Sequence, residues 1–217
     1  MKATGPHKDQ PLVTAGAPLD ASRCAVIMVH GRGASPQNIL ELVPLLGRSE
    51  FAYLAPAAAN NTWYPHSFLT EIPKNEPWLS SALEVLADVV EHAGGHGIGR
   101  DRIVLLGFSQ GACLCGEFAV RSASRFGGIL MLSGGLIGPP GTRWDYGGSF
   151  DGTPVFFGCS DSDAHIPAAR VDESAKVFER MGALVTKRLY PGMGHLVNED
   201  EIVAARQVLD LVLQTLE

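Results

Sequence analysis

No apolar run in this sequence reaches the roughly 18 residues that a membrane-spanning helix needs, so no stable membrane insertion is expected. Charge of one sign is scarce too. Seventeen basic residues stand against 23 acidic ones, the net charge is −6, and no basic stripe breaks the balance. A nucleic-acid partner is therefore not expected. The four cysteines, Cys24, Cys113, Cys115 and Cys159, have spacings that fit no zinc pattern, and no metal site is predicted. Each lies in an apolar stretch, as buried free thiols do in a reducing compartment. Met1 to Gln10 is polar and has no apolar core followed by a cleavage site, so no secretory signal is read there. These absences point to a cytoplasmic protein. Internal repeats and low-complexity tracts are also missing.

What is present is an ordinary globular composition. Of 217 residues, 46% are hydrophobic and 18% charged, which excludes disorder as the dominant state. A single domain of this size buries roughly 70% of its unfolded surface. The first 20 residues are rich in Pro, Gly and Ala and are expected to form a flexible arm. Residues 21–217 are expected to form one domain.

Along that domain, short apolar runs alternate with helical patterns. Strands are predicted at 25–29, 51–55, 103–106, 128–132, 155–157 and 184–190, the first of them an unbroken apolar run. Helices are predicted after Ser35-Pro36, from Pro77 to Gly94-Gly95, over 110–122, near 166–181, and after the capping pair Asn198 and Glu201. Pro44 should break the first of these. Residues 57–76 read as a long aromatic loop, and 133–153 as an irregular one. This rhythm implies a mostly parallel, doubly wound α/β sheet with helices on both faces. Chemistry then belongs at the carboxyl ends of the strands.

The sharpest motif sits at such an end. Gly107-Phe108-Ser109-Gln110-Gly111 is G-x-S-x-G between a predicted strand and a predicted helix, the context that exposes the serine as a nucleophile. A serine hydroxyl needs a base. Among seven histidines, His195 in Pro191-Gly192-Met193-Gly194-His195 follows the last strand, in the order Ser, acid, His that this fold requires. Asp161 and Asp163 both follow the strand at 155–157, and their positions alone leave both open as the acid that orients His195. Donors for an oxyanion are expected from the backbone N–H of Gln110 and from the Gly-rich segment His30-Gly31-Arg32-Gly33-Ala34, with the Arg32 N–H as candidate. The Arg32 side chain could alternatively hold an anionic part of the substrate.

Four motifs in order, Val29-His30-Gly31-Arg32-Gly33, Gly107-Phe108-Ser109-Gln110-Gly111, Leu132-Ser133-Gly134-Gly135 and Gly192-Met193-Gly194-His195, resemble the α/β-hydrolase superfamily. More narrowly, residues 24–213 resemble its phospholipase/carboxylesterase family, which includes the acyl-protein thioesterases. The resemblance implies an α/β-hydrolase fold and a serine hydrolase of carboxylic esters or thioesters, working through an acyl-enzyme without metal or organic cofactor. The family's stretch P-V-L-x-x-H-G-x-x-D-P-x-V-P, laid on Pro154 to Pro167, puts its aspartate at Asp163. Here Ala164 stands in place of the usual Pro, and Cys159-Ser160 in place of His-Gly.

The short span between the strands at 128–132 and 155–157 leaves little room for a cap domain, and no large one is expected. Trp63, Tyr64 and Phe68, with Leu136, Ile137 and Trp144, are expected to line an apolar acyl groove, and His165 to face the substrate. A lactone hydrolase resembling dienelactone hydrolases is an alternative, although those usually carry Cys where this chain has Ser109. A non-catalytic binding protein on the same fold is another. A homodimer is consistent with the chain's size.

Overall fold

The computed structural model describes residues 3–216. Seven strands form one sheet: β1 (Leu12–Gly16), β2 (Ala25–Val29), β3 (Ala52–Pro56), β4 (Ile103–Phe108), β5 (Gly128–Leu132), β6 (Pro154–Ser160) and β7 (Leu184–Tyr190). Their spatial order is β1-β3-β2-β4-β5-β6-β7, with β1 antiparallel to β3 and every other pair parallel.

The central strands are apolar throughout because both faces are covered. In β2, Ala25, Ile27 and Val29 face one core, and Val26 and Met28 face the other. The first core is closed by α3 (Trp78–Gly95), α4 (Gln110–Arg121) and α5 (Ala168–Arg180). The second is closed by α1 (Pro36–Leu40), α2 (Val43–Leu46) and α6 (Glu199–Gln214). Pro44 sits in the first turn of α2, and the Asn198–Glu201 capping box starts α6. Among the described residues no helix or strand lies between β5 and β6, so no large cap covers the sheet. None of the described helices is long and apolar enough to cross a membrane.

The chain start differs from its expectation as a flexible arm. Strand β1 is the edge of the sheet, and the boundary at residue 20 disappears. His7 is fully buried, its ring set 5.5 Å from that of Trp63 and 5.4 Å from that of Trp78. The Ala59 N–H donates to its Nδ1, so Nε2–H donates to the Trp63 carbonyl. Burial lowers the His7 pKa, which agrees with this neutral ring. Thr4 donates to Glu84, and the His7 N–H to Ser81. Paired hydrogen bonds to α3 and β3 thus order a segment whose Pro and Gly content suggested looseness.

Topology positions the site. The chain leaves β2 toward β3 on one side, then crosses to β4 on the other. The carboxyl ends of β2 and β4 flank this switch point, where the residues after Val29 meet those after Phe108.

Candidate active site

Ser109 stands between β4 and α4 with φ 55° and ψ −121°, a left-handed backbone that strains a residue with a side chain. The turn closes only because its flanking positions are bare. A Cβ at Gly107 would meet the Gly111 carbonyl, and one at Gly111 would meet the Val29 carbonyl. The Ser109 N–H donates to the Leu132 carbonyl at 2.9 Å, which ties the turn to β5. The N–H of Gln110 opens α4 and belongs to the first turn, whose donors have no partner within the helix.

The segment after β2 supplies a second N–H. Gly31 packs so near the turn that a Cβ there would lie 3.3 Å from the Ser109 Cβ. The buried His30 ring accepts from the Ala58 N–H at Nε2 and donates from Nδ1 to the Gly31 carbonyl at 2.8 Å. That grip turns the carbonyl one way, and the trans peptide sends the Arg32 N–H the other way. Burial keeps His30 neutral by lowering its pKa.

His195 follows β7 on a loop turned by Gly192 (φ 61°) and Gly194 (φ 78°). Its Nδ1 lies 2.7 Å from Asp163 Oδ2, and its Nε2 lies 2.8 Å from Ser109 Oγ. An ionised carboxylate only accepts, so Nδ1 carries the proton and Nε2 is free to accept from the serine. The Asp163 side chain is fully covered, and its Oδ1 accepts from the N–H groups of His165 (2.7 Å) and Ile166 (3.0 Å). Burial works against its charge. The hydrogen bonds from His195 and the two amides outweigh that penalty and hold the carboxyl below its ordinary value.

Asp161 does different work. It is exposed, and its Oδ1 accepts from the Gly192 N–H at 2.9 Å, pinning the loop that carries His195. Ser160 Oγ accepts from the Gly194 N–H in the same loop.

A cavity of about 420 Å³ opens beside Ser109 and His195. Tyr64, Phe68 and His165 line it, the His165 ring edge-on to His195 at 4.8 Å. Arg32, His66, Ser67, Cys113 and Ile166 line it as well. Burial pushes the Cys113 thiol up to about 12, so it stays protonated at neutral pH.

Four expected groove residues, Trp63, Leu136, Ile137 and Trp144, lie elsewhere, Ile137 being fully buried. Trp63 is fully buried under the loop, with its indole N–H on the His30 carbonyl. Leu136 is fully buried, and its carbonyl accepts from Arg170. Trp144 stacks on Arg170 and donates to the Ile137 carbonyl. These large side chains anchor their loops to the core. An apolar groove does exist, on the other side of Phe108, where a cavity of about 230 Å³ is lined by Ile39, Leu42, Phe108 and Val197.

The Gln110 side chain is a contributor that the motif did not reveal. Its Oε1 accepts from the Trp63 N–H and its Nε2 donates to the Tyr64 carbonyl, clamping the 57–76 loop to the start of α4. Arg32 adds a second clamp, donating to the carbonyls of Pro65 (2.9 Å) and His66 (2.7 Å). Only the polar character of both residues hinted at these bonds.

Sheet order, strained serine and hydrogen-bonded histidine define an α/β hydrolase. Residues 13–213 match the phospholipase/carboxylesterase family, and the chain belongs to that family of ester and thioester hydrolases. It is 26% identical to acyl-protein thioesterase 1 of Eremothecium gossypii, over 91% of this chain and 89% of that one. It is 23% identical to lysophospholipase-like protein 1 of Mus musculus, over 86% and 85%. Among solved structures, a phospholipase/carboxylesterase from Dyadobacter fermentans shares 40% identity at a TM-score of 0.89, covering 98% of this chain and 100% of that one. The Bacillus cereus carboxylesterase, at 20% identity and a TM-score of 0.77, shares the fold, with 94% and 95% of the two chains covered.

Proposed function

We propose that the protein hydrolyses carboxylic esters or thioesters through a Ser109–His195–Asp163 triad and an acyl-enzyme. The observation that carries this reading is the unbroken chain of hydrogen bonds from Ser109 Oγ to His195 (2.8 Å) and on to Asp163 (2.7 Å). Ser109 Oγ attacks the carbonyl carbon as its proton passes to His195 Nε2. Asp163 holds the ring in the right tautomer and stabilises the imidazolium. The negative oxygen of the tetrahedral intermediate is received by the N–H groups of Gln110 and Arg32, beside the positive end of α4. The intermediate collapses, the C–O or C–S bond breaks, and His195 gives its proton to the departing alcohol or thiol. A water, deprotonated by His195, then attacks the acyl-enzyme and releases the acid and Ser109.

The test is hydrolysis of 4-nitrophenyl esters from acetate to palmitate, with an acyl-thiocholine series beside it. Turnover is expected from the wild type, falling about 10³-fold or more in Ser109→Ala. A fluorophosphonate probe should label Ser109. Folded wild-type protein that neither turns over any ester or thioester nor takes the label would sink the proposal.

A further inference from the structure

The cavity at Ser109 and the groove at Phe108 differ in chemistry. Beyond Phe108 the groove is apolar. Toward the 57–76 loop the cavity carries Arg32, His66, His165 and His195, and none of its lining residues is acidic. That is notable in a chain with 23 acidic residues and a net charge of −6. The nearest carboxylate behind the histidine, Asp163, is fully covered and has its oxygens engaged.

Arg32 is exposed, and among the described residues no carboxylate pairs with it. Its two bonds go to neutral carbonyls, Pro65 and His66, and its guanidinium sits 6.0 Å from the centre of the Tyr64 ring. A guanidinium has five N–H donors and stays charged at any physiological pH. Two donors hold the side chain in place, and the others face a positive charge's usual need for an anion. The cost of ordering that side chain has therefore been met before a ligand arrives. The exposed imidazoles of His66 and His165 can each offer an N–H in either tautomer.

We infer that the preferred substrates are esters or thioesters that carry an anionic group, a carboxylate or a phosphate, which Arg32 binds with support from His66 and His165. This rests on the serine-hydrolase reading and narrows it to a substrate class.

The experiment compares kcat/KM for mono-4-nitrophenyl adipate, its methyl ester and 4-nitrophenyl 5-phosphonopentanoate. At low salt the wild type should prefer the anionic esters over the methyl ester by roughly ten- to a hundredfold, as a charged hydrogen bond contributes. The preference should shrink in high salt. In Arg32→Gln the ratio should approach one, chiefly through a higher KM for the anionic ester. The two anionic arms distinguish a carboxylate from a phosphate preference. Binding of monomethyl adipate and dimethyl adipate to Ser109→Ala, followed by ligand-observed NMR, gives a readout without turnover, and the monoanion should bind more tightly. Turnover with no anionic preference would overturn this inference and leave the hydrolase reading standing. Equal binding of the two adipates would overturn it even if no ester were hydrolysed. A preference unchanged in Arg32→Gln would overturn the role of Arg32.

Discussion

Two aspartates two residues apart hold different parts of one loop system. Asp163 meets the His195 ring, and Asp161 meets the backbone of Gly192. Asp163→Asn should therefore lower kcat by about 10³- to 10⁴-fold, since the amide favours the wrong imidazole tautomer. Asp161→Asn should change it only a few-fold, because an amide oxygen can still accept from Gly192. Steady-state kinetics on the two variants separates them. Position in the chain could not, as both follow β6; the difference lies in which side chain turns inward toward the amides of His165 and Ile166. Glu201 is also an acid with a fully buried side chain. Its Oε2 accepts from the Asn198 N–H, while Oε1 is sealed against Gly158 without a partner. Burial pushes its carboxyl from 4.5 up to about 7, opposed by the Asn198 N–H and aided by Asp200. The folded protein thus keeps a proton that the unfolded chain releases above 4.5. This contribution to stability is complete below pH 4.5 and is lost as the pH rises through about 7. Glu201→Gln should accordingly gain on the wild type by about 1–3 kcal/mol between pH 5 and pH 8, measured by urea unfolding.

The 57–76 loop is long, yet it is held like an element. Gln110, Arg32 and the buried Asn75, which accepts from the His66 N–H, bind its backbone at successive residues. Gln110→Ala removes two buried bonds and should cost about 1–3 kcal/mol. It should also raise KM and speed amide exchange over Trp63–Ser67, whereas a loop held only by its apolar side chains would show little change in exchange. Most elements were legible in the sequence because their signals were redundant. Ala25–Val29 is apolar on both faces, and Asn198 with Glu201 marks the start of α6 from the backbone and side-chain side at once. Strand β1 had no such redundancy. Leu12–Gly16 is five residues long, half-exposed and bounded by Pro and Gly, and it becomes a strand only because β3 supplies a ladder. The loop aromatics failed for a related reason. Trp63 and Trp144 carry one polar atom each, and whether that atom meets a carbonyl or a substrate is decided by residues far away in the chain.

At the scale of the molecule, the first strand and the buried His7 tie the N-terminal segment to both α3 and the floor beneath the site. Deleting residues 1–16 should lower the thermal midpoint clearly and expose the edge of β3, so aggregation on heating should increase; a scan with light scattering measures both. The broad architecture was readable from the alternation of strands and helices, and the family from four motifs in order. Arg32 was readable as an oxyanion donor or anion-binding side chain, though not as a side chain fastened to the loop across from it. The proposed triad draws its reacting groups from widely spaced parts of the chain. Ser109 and His195 are 86 positions apart, and the histidine is delivered by a loop after β7 that Asp161 and Ser160, at the end of β6, hold in place. During synthesis the serine emerges long before its base, and a lone hydroxyl attacks nothing. Hydrolytic activity is thus a late signal of a completed fold: on refolding from denaturant, ester turnover should return after helical circular dichroism, and the lag between them times the docking of the last third of the chain.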